Sequence, residues 1–235
     1  LVFAGDVAAT IKNWSESRIV LQVPTGARSG DLIAKVQGIS FVVRAVKVNS
    51  VDSASPDRGI AGVEIEIAGT GFGASQGTGH VKIDDKTLEI IGWSENLIRA
   101  KVPEGTRPGD LAVFAAGINS NGVPVVISAI TSISHVRRPA GTVLQIDGYG
   151  FGSNTGFVLF GEIVATTFKT WKEDLIEVVI PVNAPGNAPV VVSSMGVRTP
   201  AVPFFVTSIT GADQDSGWIG REVVISGDNL GNGSG

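Results

Sequence analysis

Gly73-Ala-Ser75-Gln-Gly77 spells G-x-S-x-G, the spacing that lifts a serine hydroxyl toward a histidine base when it sits on a strand-to-helix elbow. It overlaps Gly69-Thr-Gly71-Phe-Gly73-Ala74, a match to G-x-G-x-x-A, in which glycines let backbone N–H groups approach a pyrophosphate at a helix N-terminus. Both chemistries need a helix right after the glycines. None is expected here, because Gly, Pro, Asn and Asp recur throughout and no window of about 11 residues carries a 3.6-residue apolar period. His80 and His135 are the only imidazoles, and they share no acidic partner. Oxygen donors for Ca²⁺ gather at Asp84-Asp85, at Asp213-x-Asp215 and at Asp228 with Asn229 and Asn232. None has EF-hand spacing, so they read as solvated turn acids. No catalytic, cofactor or metal-ligating residue is assigned.

Sugar binding needs open aromatic surface beside polar groups. Trp14, Trp93 and Trp171 recur at one repeated position, which suits a core or interdomain plug better than a platform. That leaves Tyr149, and Trp218 close to Asp213 and Asp215, as candidate interdomain or ligand contacts. Asn13-Trp-Ser15 and Asn232-Gly-Ser234 are formal glycosylation sequons.

The elements that must hold these residues are strands. Val63-Glu64-Ile65-Glu66-Ile67 alternates strictly, sending three aliphatics to one face and two carboxylates to the other. Leu175–Ile180, Ala188–Val192 and Arg221–Ile225 are β-branched runs of strand length. An all-β fold follows. The chain has 235 residues, no Cys and a formal net charge of −4, with Lys and Arg scattered, so disulfides are excluded and the basic footprint of a nucleic-acid binder is missing. No apolar run approaches the roughly 20 residues of a spanning helix, and no membrane insertion is expected.

Internal repetition organises the chain. WSESRI at Trp14, WSENLI at Trp93 and WKEDLI at Trp171 lie 79 and 78 residues apart, and so do Val23-Pro24, Val102-Pro103 and Ile180-Pro181. GTGFG (Gly69, Gly71, Gly73), GYGFG (Gly148, Gly150, Gly152) and GDNLG (Gly227 to Gly231) recur 79 apart. Each unit reads as strand, Gly-rich corner, strand pair, Trp, strand ending in an aliphatic-Pro pair, a turn such as Ser29-Gly30-Asp31 or Pro108-Gly109-Asp110, and two closing strands. The Gly-rich corners and these closing turns are the expected interdomain contacts.

With the G-x-G-F-G corner, the Trp, the I-x-x-x-V-P strand (Ile19 to Pro24, Ile98 to Pro103) and a Gly before the second strand (Gly62, Gly141, Gly220), the chain resembles tandem IPT/TIG domains of bacterial-type surface or secreted proteins. That resemblance implies immunoglobulin-like β-sandwiches, and with no catalytic constellation among these residues no enzyme activity is expected. The expected divisions are a back half at 1–47, complete repeats at 48–129 and 130–205, and a front half at 206–235. Setting residue 235 before residue 1 gives GDNLGNGSG-LVFAGDVAATIKNW, which aligns with GYGFGSNTG-FVLFGEIVATTFKTW. The split repeat is thus completed either by continuation of a longer polypeptide or by a neighbouring copy, making self the first expected partner and surface glycans the second. The function expected is an extracellular or cell-surface fibre, stalk or sheath. The alternative is a set of accessory or carbohydrate-binding modules of a larger secreted polysaccharide-active enzyme or adhesin.

Overall fold

The computed structural model describes the backbone of residues 2–4 and all atoms of residues 7–231. The sequon at Asn232 and the meeting point of the two chain ends lie outside these residues. Every regular element described is a β-strand. The strands fall into two compact units, Leu1–Asp57 with Gly62–Val126, and Arg58–Ala61 with Ile127–Gly235.

In the first unit the strands Glu89–Trp93, Leu97–Lys101, Glu64–Thr70 and Ser50–Ser55 lie side by side in that order, all antiparallel. Lys86–Thr87, His80–Ile83 and Gly109–Ala115 belong to a second sheet. Ile65, Ile67, Ile98, Val81, Leu111 and Val113 are completely buried. The alternation read at Glu64 to Ile67 therefore holds, with both carboxylates outward. Arg99 reaches Glu64 at 3.0 Å and Glu66 at 3.6 Å, and with all three side chains about half exposed these ion pairs contribute little stability.

The same unit contains residues 7–48. Here Arg28–Val36 pairs with Ile39–Val46, and Thr10–Trp14 pairs with Ile19–Gln22 as a separate hairpin. The core is small: Ala27 and Leu32 are buried, with Ala9, Leu21, Val46 and Val48 packed around them.

In the second unit Ala129–Ile133, Val143–Tyr149, Leu175–Val179 and Phe168–Trp171 form one sheet, and Ile163–Val164, Phe157–Phe160, Val190–Ser194 and Val197–Arg198 form another. Leu144, Ile146, Phe151, Phe160, Ile176, Val178, Val190 and Phe204 make a continuous buried core, with Phe160 edge-on to Phe204 at 5.6 Å. Registers repeat along with sequence: Ile67 faces Ile98 and Ile65 faces Ala100 in one unit, and Ile146 faces Ile176 and Leu144 faces Val178 in the other. These are immunoglobulin-like sandwiches. Beyond them Phe205–Ala212 pairs with Ile225–Asp228.

Two turn assignments change. Ser29, Gly30 and Asp31 lie inside the strand Arg28–Val36, and Gly109 and Asp110 open the strand Gly109–Ala115. The chain reverses a few residues earlier, straight after each aliphatic-Pro pair, where Ala27 N–H donates to Pro24 O and Thr106 Oγ1 to Pro103 O. Proline ends the strand by removing a ladder donor, and the bend follows at once. Each later hairpin turns on an X-Gly pair with both φ positive, Gln37-Gly38, Ala116-Gly117 and Met195-Gly196. Two consecutive positive φ values define the tight turn whose twist matches paired strands.

Candidate functional site

The Gly-rich corner has a structural job that explains its composition. Gly71 and Gly150 adopt φ of +81° and +71°, and a Cβ on either would overlap the carbonyl oxygen of Val48 or Ile127, where the chain enters each repeat. Phe72 and Phe151 then plug the two cores. Trp93 Nε1–H donates to Phe72 O, and Trp171 Nε1–H donates to Gly152 O, both at 3.1 Å. Trp93 and Trp171 are therefore partly buried clamps on their corners, and the glycines seat a backbone carbonyl in place of a phosphate. The stretch Gly73 to Gly77 is a loop leading to the strand His80–Ile83, so no nucleophile elbow forms at Ser75.

The front half that begins at residue 206 solves the same corner differently. Asn229 takes the left-handed conformation at φ +54°, and its side-chain amide donates to Val206 O and Gly186 O, both at 2.9 Å. Asn tolerates this backbone region better than other residues bearing a Cβ. Its hydrogen bond falls on the carbonyl equivalent to those of Val48 and Ile127.

Sequence reasoning missed a cleft of about 290 Å³ in the first unit, lined by Val23 to Ala27, Val48 to Asp52 and Asn121. Asn49 sits in it, 8% exposed. Its Nδ2 donates to Val113 O and Ile118 O, each at 3.0 Å, while its Oδ1 is buried with no protein partner. Asn121 clamps Val51 by accepting its N–H at 3.0 Å and donating to its C=O at 2.9 Å, as a strand neighbour would. A lone Asn between two strand patterns was the only sequence signal for this junction.

The nominated ligand contacts divide between two places. Tyr149 ends the strand Val143–Tyr149, opposite Ala129. Asp213, Asp215 and Trp218 occupy the loop beyond Phe205–Ala212. Asp213 Oδ1 accepts Val224 N–H at 2.9 Å and Asp215 Oδ1 accepts the Ser216 hydroxyl at 3.3 Å, so both acids act locally as loop staples. Trp218 is 71% exposed, and the Arg221 guanidinium stacks 4.5 Å from its ring centroid. Pro24, Pro103 and Pro181 each stand two residues past the end of a strand, Ile19–Gln22, Leu97–Lys101 and Leu175–Val179. His80 stacks on Phe114 at 5.0 Å, and His135 lies beside Arg138. Among the described residues no three His, Asp or Glu side chains gather into a metal site. Asn13 of the first sequon is exposed on the strand Thr10–Trp14.

The sheets, registers and Trp-clamped corners define an immunoglobulin-like β-sandwich class. Residues 50–127 match the IPT/TIG domain family, and this repeat is an IPT/TIG domain. The chain is 39% identical over 84 residues to a cyclomaltodextrin glucanotransferase of Bacillus sp. (strain 6.6.3), a match covering 35% of this chain and 12% of that protein. It is 27% identical over 143 residues to human Fibrocystin-L, covering 57% of this chain and 3% of the relative. Among solved structures it is similar to SGBP-B from a complex xyloglucan utilization locus in Bacteroides uniformis, at 14% identity and a TM-score of 0.32 over 70% of this chain and 54% of that one. The chain thus spans only a small fraction of the curated relatives it matches.

Proposed function

We propose that this chain is a run of non-catalytic immunoglobulin-like modules serving as the accessory part of a larger extracellular or cell-surface carbohydrate-active protein, contacting glycans without transforming them. The observation that carries this reading is the 39% identity to a segment of an enzyme that acts on glucan. The internal chemistry agrees, because the motifs that mimic catalytic or nucleotide sites are spent on seating a carbonyl and a Trp clamp. Trp218 is the glycan contact in this reading: an open indole, braced by Arg221, offers a sugar ring an apolar face beside a charged donor. The repeat spacing alone favoured a fibre, stalk or sheath; the relatives favour the accessory role.

Affinity electrophoresis through gels containing soluble starch or xyloglucan, paired with an assay for newly released reducing ends, tests it. Retardation by at least one glucan with no reducing ends released is expected. Release of reducing ends, or unchanged mobility in every glucan, contradicts it.

A further inference from the structure

The hairpin turn Met195-Gly196 reaches back onto the Gly-rich corner of its own repeat. A Cβ on Gly152 would stand 2.7 Å from Met195 Cε and 3.5 Å from Met195 Sδ, so the thioether lies directly over this glycine. Gly152 O is the acceptor of the Trp171 indole N–H. The preceding residue, Ser194, donates its hydroxyl to Phe151 O at 2.6 Å and fixes the strand end against the same corner. The repeat at 48–129 has no such cover. Its turn residue is Ala116, and the one atom near a Cβ on Gly73 would be Ser75 O, at 3.9 Å.

The sulfur is also open to reagents. Met195 is the chain's one methionine and is 46% exposed, and the Arg58 guanidinium, which belongs to the same unit, donates to its Sδ. A thioether is a weak acceptor that hydroperoxides oxidise, whereas the oxygen of a sulfoxide is polar and accepts well. A guanidinium already at the sulfur can hold that oxygen by a charge-assisted hydrogen bond.

We propose that Met195 is an oxidative modification site whose sulfoxide unlatches the Gly152 corner. The step balances with a hydroperoxide as the only co-reactant. Sulfur attacks the terminal peroxide oxygen, the O–O bond breaks as the S–O bond forms, and the proton of the transferred hydroxyl passes to the departing oxygen, leaving water or an alcohol. Sulfur is oxidised by two electrons and the peroxide is reduced by two. The new oxygen turns toward Arg58 and water, the methyl lifts from Gly152, and the Trp171 clamp loses the packing behind its acceptor. Methionine sulfoxide reductases reverse such a modification. This site stands apart from the glycan-contact reading, and either holds without the other.

Hydrogen peroxide treatment of the 235-residue chain, followed by intact and fragment mass and by hydrogen exchange of the indole N–H signals in NMR, reads both steps. A single added oxygen, about 16 Da, is expected on Met195. Exchange of the Trp171 indole should quicken by about threefold or more, while that of Trp93, the equivalent clamp beside Ala116, stays as it was. A methionine sulfoxide reductase with a thiol should restore the original rate. Met195→Leu should take up no oxygen and keep Trp171 exchange unchanged in peroxide. Met195→Gln, which places a polar side chain of similar length where Gln37 stands in the corresponding turn, should exchange faster with no peroxide present, and it keeps the test open if the leucine variant fails to fold. Absence of the adduct at Met195 overturns the proposal, as does an adduct that leaves Trp171 exchange at its starting rate.

Discussion

The carbonyl oxygen of Ile127 lies where a β-carbon on Gly150 would stand, and Val48 bears the same relation to Gly71 in the preceding repeat. This contact ties the point where the chain enters a sandwich to the Gly-rich corner that bounds its core. It also explains why a nucleotide-like glycine motif appears in a chain whose described regular elements are all strands. Gly71→Ala and Gly150→Ala must each overcome a left-handed backbone and an overlapping carbonyl, and we expect losses of about 2–4 kcal/mol by urea unfolding. A loss below about 1 kcal/mol at both sites would remove the corner from the account.

Asn229 separates the two requirements that glycine meets together. Asn229→Gly keeps the left-handed backbone and loses the side-chain bonds to Val206 O and Gly186 O. Asn229→Ala loses both. The alanine variant is expected to be the less stable of the two by about 1 kcal/mol, read from local hydrogen exchange over residues 205–212 and 225–228.

Much of this architecture was legible beforehand because its signals are local and recur. Alternation at Val63 to Ile67, β-branched runs and Gly-Pro punctuation placed strands and corners, and the Trp spacing marked one repeated position without showing what its N–H holds. What was not legible depended on partners distant in sequence. Asn49 meets Val113 and Ile118 across 64 and 69 residues, and Asn121 meets Val51 across 70; neither Asn sits in a recognisable motif. Ser29 to Asp31 read as a turn from composition, yet pairing with Ile39–Val46 draws these residues into a strand. Tertiary pairing overrides turn propensity there.

Equivalent isoleucines should respond differently to truncation. Ile98→Ala and Ile176→Ala empty fully buried sites and should each cost about 2–5 kcal/mol. Ile19→Ala, at 38% exposure, should cost well under half as much. Thermal melts of the three variants at low concentration check the contrast.

Trp171→Phe keeps an aromatic ring and removes the N–H that reaches Gly152 O. A loss of about 1 kcal/mol is expected, from the hydrogen bond and the reduced contact area. Trp14→Phe should change stability by less than about 0.5 kcal/mol, since that indole is 55% exposed.

Asn49→Ala withdraws a donor from the buried carbonyl of Val113 and another from the partly buried carbonyl of Ile118. We expect about 1–3 kcal/mol of destabilisation, confined to the first unit and visible by hydrogen exchange in Gly109–Ala115.

Calorimetric titration of the intact chain with soluble starch dextrins and with xyloglucan oligosaccharides, run beside Trp218→Ala, tests the glycan-contact reading most directly. Saturating heat is expected with at least one glucan, at a Kd near a millimolar, or about 4 kcal/mol of binding free energy, together with its loss in the Trp218 variant. No saturable heat with either glucan, or equal binding by parent and variant, would contradict it.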